Sequence, residues 1–257
     1  MPVSNATSRF SDRVENYVRY RPGYPRDVLG VLENDCGLAP SHIIADIASG
    51  TGIWTRRLLE NGNQVFGVEP NAEMRQAGER LLAEFPKFTS VAGTAEATTL
   101  PDASADFVVA GQAFHWFDTK STRLEFERIL KSKGWVTVIW NERKTDSSNF
   151  LREYELFLRT YGTDYAKVSE TYPRERQMTE FFGAGGFHHS TFANEQIFDL
   201  EGLRGRLLSS SYSPPPDHPQ HQPMLATLTK LFDAHVENGA VRFEYETHIY
   251  YGRLQKQ

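Results

Sequence analysis

A chain of 257 residues with a net charge of −5 and one cysteine is long enough to bury a sizeable core without disulfide or metal staples. The lone Cys36 excludes an internal disulfide and, with no apolar leader in "MPVSNATSRF", suggests a reducing, cytoplasmic compartment. No run approaches the roughly 18 apolar residues of a membrane span, so no membrane partner is expected, and scattered Lys and Arg under an acidic balance argue against a nucleic-acid partner.

In chain order, "SDRVENYVRYRPGYP" offers Asp12 and Glu15 as a capping box for a short aromatic helix through Tyr20, stopped at Arg21-Pro22. Strand-like and helix-like segments then alternate: strand "HIIADIAS", helix "IWTRRLLENG", strand "QVFGVEP", helix "NAEMRQAGERLLAEF", strand "FTSVAGTAE", strand "ADFVVAGQAF", helix "TKSTRLEFERILKSKG" and strand "WVTVIWN". This alternation predicts a parallel sheet with helices on both faces, and the continuous apolar runs fit strands covered on both sides. From about Asp146 the texture shifts to aromatic and charged helices, "SSNFLREYELFLRTYG" and "PRERQMTEFFGAGGF", and to the loop "SSSYSPPPDHPQHQP", a pattern that predicts a cap. The final "VRFEYETHIYYGRL" puts Val241, Phe243, Tyr245, Thr247, Ile249 and Tyr251 on one face and reads as an antiparallel closing strand.

The chemistry concentrates in "IIADIASGTG". A dinucleotide fingerprint needs a third small residue for close helix packing, but the two possible frames end in Ile53 and Thr55. Asp46 beside the turn would also repel a pyrophosphate, which opposes a nicotinamide dehydrogenase. A cationic ligand carrying a ribose suits the loop better. Glu69, ending the next strand, lies where an acid accepts both ribose hydroxyls, and Glu96 follows the third strand, where it can accept from an adenine amine.

Asp46-Ile-Ala-Ser-Gly50-Thr-Gly52, Glu69, Ala95-Glu96, Asp106 and "ILKSKGWV" together resemble the ordered motifs of class I S-adenosylmethionine (SAM) dependent methyltransferases. "YVRYRPGYP" and "GQAFHWFD" resemble the small-molecule branch related to trans-aconitate methyltransferase. The core of the resemblance covers roughly Pro40 to Asn141. The family's first loop position is usually glycine and here is Ala48, whose methyl is expected to tighten the turn.

The resemblance implies a Rossmann-like, doubly wound α/β fold: a seven-stranded, mostly parallel sheet with an antiparallel last strand and a helical cap. The whole chain, 1–257, would be one domain, with an N-terminal lid helix over 10–24, a core over 40–141, and a substrate cap with closing strands over 146–257. SAM is the implied cofactor. Carried onto this chain, its site comprises Tyr17, Arg21, Asp46, Ala48, Gly50, Thr51, Gly52, Glu69, Pro70, Met74, Ala95, Glu96, Gln112, Ala113 and Phe114. In that set Gly50 and Gly52 pass close to the methionine moiety, Met74 and Phe114 flank the purine or sulfonium, and Arg21 meets the donor's carboxylate.

For chemistry, His115 in "QAFHWF" follows the fourth strand and is the candidate catalytic residue, either as a base or as a packed ring. A carboxylate acceptor needs no base, and arginines such as Arg143, Arg174 or Arg176 would recognise it. A hydroxyl or carbon-acid acceptor would call on His115. The alternative function is a protein of the same fold that binds SAM or its demethylated product without catalysis. His188-His189 and the pair His218 and His221 lack a third ligand at fixed spacing, so no metal is expected, and Trp54, Trp135 and Trp140 suit core positions.

Overall fold

The computed structural model describes residues 14–163, 165, 175–183 and 186–254. Helices α1 (Val14–Tyr20) and α2 (Arg26–Asn34) lead into strand β1 (Ile43–Ile47), followed by α3 (Ile53–Glu60), β2 (Gln64–Val68), α4 (Ala72–Leu81), β3 (Phe88–Val91) and β4 (Ala105–Gly111). After a single 3-10 turn at Phe114–Trp116 come α5 (Thr119–Ile129), β5 (Leu130–Arg143), α6 (Asn149–Tyr161), α7 (Glu175–Phe182), β6 (Phe187–Phe198), α8 (Leu200–Leu208), α9 (His221–His235) and β7 (Val241–Gly252). Polar residues start several helices. The side chains of Asn71, Asp118, Ser148 and Asp199 each accept a backbone N–H from the first turn of α4, α5, α6 and α8, at 2.7–3.1 Å.

The seven strands form one sheet in the order β3-β2-β1-β4-β5-β7-β6. β3, β2, β1, β4 and β5 are parallel, and β7 inserts antiparallel between β5 and β6. Strand order therefore reverses between β1 and β4, which opens a crevice beyond their carboxyl ends. The expected fold, including the antiparallel last strand, is the one observed.

Alternation along each strand divides the core. Ile44, Val65, Phe107, Val109 and Ile139 face α2 and α3 through Val28, Leu32, Trp54 and Leu58. Ala45, Ile47, Val68, Val108, Val136 and Val138 face Phe126 and Ile129 of α5 and Met178, Phe181 and Phe182 of α7. The start of β7 leaves these layers, and Val241, Phe243 and Tyr245 pack with α6, α8 and α9 in a third cluster that also holds Tyr20.

Several elements differ from the sequence reading. Helix α5 ends at Ile129 rather than continuing to Gly134, because Leu130 pairs with Ala105 and draws the chain into β5. The third strand stops at Val91, and Thr94 and Ala97 close a turn on each other. Strand β6 went unread because its edge position leaves only one side chain, Phe198, fully buried, so "FHHSTFANEQIF" lacks a strong apolar period. Helix α7 belongs to the covered face of the main sheet and not to the cap, with Phe181 edge-on to Phe114 and Phe126. The capping box at Asp12 and the start of the N-terminal helix at Phe10 lie outside the described residues.

Helix α1 is held down by contacts from several elements. Gln196 donates to Tyr20 O at 3.2 Å, Asn141 and Asn194 both donate to Gly23 O, and the Tyr20 ring lies against Gly205 of α8. A Cβ at Gly205 would run into that ring, which, unlike a flexible chain end, has no cheap way to yield. The substitution Gly205→Ala is expected to cost about 1–3 kcal/mol and to speed protease cleavage around Val14–Tyr20 while the remaining core stays protected, as limited proteolysis with mass spectrometry would show.

Candidate functional site

The crevice at the reversal of strand order holds a cavity of about 230 Å³. β1, β2 and β4 deliver its walls from the segments just beyond their ends: Ala48 and Gly50, Glu69 to Asn71, and Gly111 to Ala113. Met74, Thr94, Ala95, Glu96, Trp116, Phe117 and, from α1, Tyr17 complete it. A recess of about 30 Å³ continues from it past Asp46, Ser49, Thr51, Tyr24 and Trp54, sharing Tyr17, Ala48, Gly50 and Gly111 with the main cavity.

Glu69 organises this cavity. Its carboxylate is 7% exposed; one oxygen accepts the Gly50 N–H at 2.9 Å and the other the Asn71 N–H at 2.8 Å. Burial raises its pKa, against the lowering effect of those two bonds. The arrangement clamps the loop after β1 to the end of β2 and sets Glu69 in the cavity wall. Asp46 is buried and accepts from Thr55, from its Oγ1 at 2.6 Å and from its backbone N–H, and burial pushes its pKa up to about 7. No cation among the described residues pairs with it. The hydroxyl of Thr51, in the same recess, is buried without a partner. A carboxylate lacking a counter-charge beside an unpaired hydroxyl is a donor set suited to a ligand ammonium.

Backbone strain gathers at the same loop. Ala48 has φ 54° and Gln112 φ 55°, a left-handed conformation that costs non-glycine residues about 1 kcal/mol or more. Gly52 turns the chain into α3 at φ 87°, and a Cβ there would meet Leu82 Cδ1 at 2.6 Å. Its role is thus the packing of α3 on α4.

A second cavity, of about 110 Å³, adjoins the first, with Tyr17, Gln112 and Trp116 lining both. The Gln112 amide is fixed by two bonds to the Asn141 backbone, at 3.1 and 3.2 Å. The second cavity is rich in cations and phenols: Arg21, Arg143 and Arg206 stand around it with Tyr165, Tyr212 and Tyr245. Arg21 donates to Ser209 O at 2.9 Å and lies over the Tyr17 ring, and its Nε is buried without a partner. Burial and the neighbouring Arg206 depress its pKa. Arg206 is 7% exposed and bonds to Tyr245 Oη and Ser210 Oγ. Of these three arginines only Arg143 pairs with a carboxylate among the described residues, that of Glu155, at 2.6 Å. Burial raises the pKa of Tyr212, but Arg206, Arg143, its hydrogen bond with Ser210 and Arg21 together pull it below its ordinary value.

His115 also lines the second cavity. It packs between Trp116 and Trp140 at centroid distances of 4.4 and 4.9 Å, and its Nδ1 is buried without a partner. Burial lowers its pKa to about 3, so the ring is neutral at physiological pH and a weak proton acceptor.

The expected cofactor residues thus fall into three groups. Tyr17, Ala48, Gly50, Glu69, Pro70, Met74, Ala95, Glu96, Gln112 and Ala113 converge on the first cavity, and Asp46 and Thr51 on its recess. Gly52 and Phe114 stand outside these linings. Phe114 is 3% exposed and packs on Phe117 and Phe181, because the 3-10 turn points it into the core and turns Trp116 and Phe117 to the cavity instead. Arg21 lines the second cavity, not the first. Trp140, expected in the core, forms part of the second wall. Of the arginines expected to recognise an acceptor, Arg143 lines the second cavity, whereas Arg176 is 87% exposed and paired with Glu180 on the surface. Arg174 lies outside the described residues. Arg206 and Tyr212 had no signal in the sequence; one of two arginines in a leucine-rich helix and a tyrosine in a serine-rich loop carry no period or spacing. Among the described residues no three His, Cys, Asp or Glu side chains gather as a metal site, and none of the helices is long and apolar enough to cross a membrane.

With this geometry in hand, residues 45–138 match the family model described as a methyltransferase domain. The chain is 36% identical over 134 residues to an uncharacterized methyltransferase of Mycobacterium tuberculosis, a match that spans 52% of this chain and about half, 52%, of that relative's length. It is 30% identical over 209 residues to an uncharacterized methyltransferase-like protein of Schizosaccharomyces pombe, covering 79% of this chain and 77% of the relative. Among solved structures, a protein of Anaeromyxobacter dehalogenans assigned to the type II methyltransferases superposes with a TM-score of 0.66 at 21% identity, over 93% of this chain and 100% of the other. The phosphoethanolamine N-methyltransferase 2 of Haemonchus contortus, solved with SAM, superposes with a TM-score of 0.56 at 17% identity, over 98% of this chain and 59% of its own; these likenesses are of fold.

The buried Asp46 makes a stability prediction independent of any ligand. Its folded pKa near 7 lies above the ordinary carboxylate value, so its contribution to stability is fully present below the ordinary carboxylate range and is lost as pH rises through about 7. Asp46→Asn, which keeps an acceptor for Thr55, is expected to raise the melting temperature at pH 8 by several degrees and to leave it nearly unchanged at pH 4. Calorimetric scans of both proteins at the two pH values check this.

Proposed function

The chain belongs to the methyltransferase family, and on that premise we propose that it transfers a methyl group from SAM, held in the first cavity, to a small anionic molecule held in the second. The observation that carries the acceptor class is the trio Arg21, Arg143 and Arg206 around the second cavity, where among the described residues a carboxylate, that of Glu155, pairs with Arg143 alone. Buried guanidinium groups without an opposite charge are costly, and an acceptor carboxylate or a comparable anion relieves that cost with directed hydrogen bonds.

In this reading the first cavity fits SAM by the chemistry of its donor set. Asp46 and Thr51 receive the amino-acid ammonium, Glu69 the ribose hydroxyls, Ala95 and Glu96 the adenine edge, and Met74, Pro70 and Phe117 the apolar faces. When bound, SAM supplies an electrophilic methyl on a cationic sulfur, whose electron pair returns to sulfur as the acceptor oxygen takes the carbon. The protein's part is alignment and exclusion of water. Tyr17, Gln112 and Trp116 form the shared wall across which the two ligands meet, and the tyrosine and tryptophan faces favour a cation there. His115 packs beside the acceptor as a neutral ring, since an ionised oxygen needs no base.

We read residues 1–257 as one domain in which α1 covers both cavities, acting in the cytoplasm on a metabolite rather than on nucleic acid. A binder of SAM without catalysis would have no use for the cationic second cavity.

The two cavities predict a double dissociation. Glu69→Ala should weaken S-adenosylhomocysteine binding by about 1–3 kcal/mol, the scale of charge-assisted bonds to two hydroxyls. Arg206→Gln should leave that affinity within about twofold and raise the KM for the acceptor by about tenfold or more. Titration calorimetry and a methyl-release assay over a panel of small acids report the two effects, and equal loss in both variants would contradict the division. For His115→Ala the expected change in turnover is below about tenfold, against the 100-fold or more that removal of a general base costs, with no new limb in the pH profile near 6.5.

A further inference from the structure

Glu155 sits behind the second cavity on α6, with its side chain 12% exposed. One of its oxygens is 2.6 Å from Arg143 Nη2 and accepts the Tyr165 hydroxyl at 2.5 Å; the other accepts Arg159 Nε at 3.0 Å from the solvent side. The Arg159 side chain is 63% exposed, so water screens its charge from the cavity. Arg143, at 8% exposure, has no such screening. The enclosed charges therefore sum simply. Among the described residues three guanidinium groups face the cavity and one enclosed carboxylate cancels one of them, leaving two positive charges on Arg21 and Arg206 to be matched from outside.

We infer that Glu155 is the specificity-determining residue that sets the charge of the acceptor: by neutralising Arg143 it tunes the cavity to small molecules carrying two negative charges, in preference to one or three. This rests on the proposal of an anionic acceptor and adds the count. The physical basis is that in an enclosed site each unmatched charge, of either sign, is penalised by its lost hydration. A monoanion leaves one guanidinium unpaired, and a trianion brings a carboxylate that meets only the already occupied Arg143. Two negative charges can come from a dicarboxylate or from a single phosphomonoester. Both satisfy the count, and the separation of Arg21 from Arg206 on different elements makes the dicarboxylate the natural first probe.

The test is a charge series offered to the full-length protein saturated with S-adenosylhomocysteine: butyrate, glutarate and tricarballylate, with glycerol phosphate as the phosphate dianion. Binding is read by calorimetry, and kcat/KM by methyl release with SAM. Wild type is expected to favour glutarate, with glycerol phosphate reporting whether one phosphate serves as well. Glu155→Gln should raise the ratio of tricarballylate to glutarate binding by about tenfold or more, the effect of freeing one enclosed charge. Arg143→Gln, which leaves Glu155 paired only with the exposed Arg159, should shift preference toward butyrate. The double variant R143Q/E155Q should return it to glutarate, because the count is again two.

A purely structural role for Glu155 would weaken every acid alike and give no return in the double variant, and that result would overturn the inference while leaving the anionic acceptor intact. If Glu155→Gln fails to fold, by circular dichroism, Arg143→Gln and the double variant still decide: an unchanged ranking in both refutes the charge count. Absence of binding by any member of the series to wild type would overturn the anionic acceptor itself, and the count with it.

Discussion

An enclosed charge without an opposite charge is expensive, and among the described residues this sheet keeps its buried acids and its guanidinium groups without a carboxylate on two sides of one wall. Asp46 and Glu69, delivered by β1 and β2, give the first cavity its negative character. Arg21 and Arg206, brought together from the N-terminal segment and α8, give the second a positive one. Everything proposed for the protein follows from that separation. A cationic methyl donor beside the acids and an anionic acceptor beside the guanidiniums are each held by the charge the fold leaves open. A transfer that cancels the two ligand charges against one another gains from being carried out away from water, where their attraction is least screened.

The separation depends on the reversal of strand order between β1 and β4. Parallel strands end on the same side of the sheet, so the residues after β1, β2 and β4 meet at one crevice. β7, running antiparallel beside β5, brings Tyr245 to the second cavity from the opposite direction. Asn141, at the end of β5, ties these parts together: its backbone holds Gln112, its amide holds Gly23, and its carbonyl oxygen accepts from Thr247 and Asn194. The wall between the cavities is therefore built on the sheet and inherits its rigidity.

Stability is given up locally for this arrangement. The loop after β1 carries Ala48 in a left-handed conformation, a carboxylate whose burial holds its pKa near 7 and an unpaired Thr51 hydroxyl; across the crevice Gln112 is similarly strained and the His115 ring is dry. The surrounding core, with Ile44, Leu58, Val108 and Phe126 fully buried, tolerates these defects because they are few and confined to the cavity walls.

What the sequence by itself determined was local or periodic. The acid-glycine turn, Glu69 at the end of the second strand and the alternation of apolar runs with helices are set by backbone dihedrals, side-chain period and the chemistry of adjacent residues, all of which are written in consecutive positions. From these the fold, the antiparallel last strand and most of the first cavity could be read. Tertiary structure alone decided the direction of Phe114, which one 3-10 turn sends into the core, and the place of Arg21, which folds over Tyr17 toward α8. It alone assembled Arg206, Tyr212, Tyr165 and Glu155 around Arg143. Those side chains come from separate segments, and each is unremarkable in its own neighbourhood. Their charges acquire meaning only when burial removes the water between them, and burial is a property of the packed chain, not of any stretch of it.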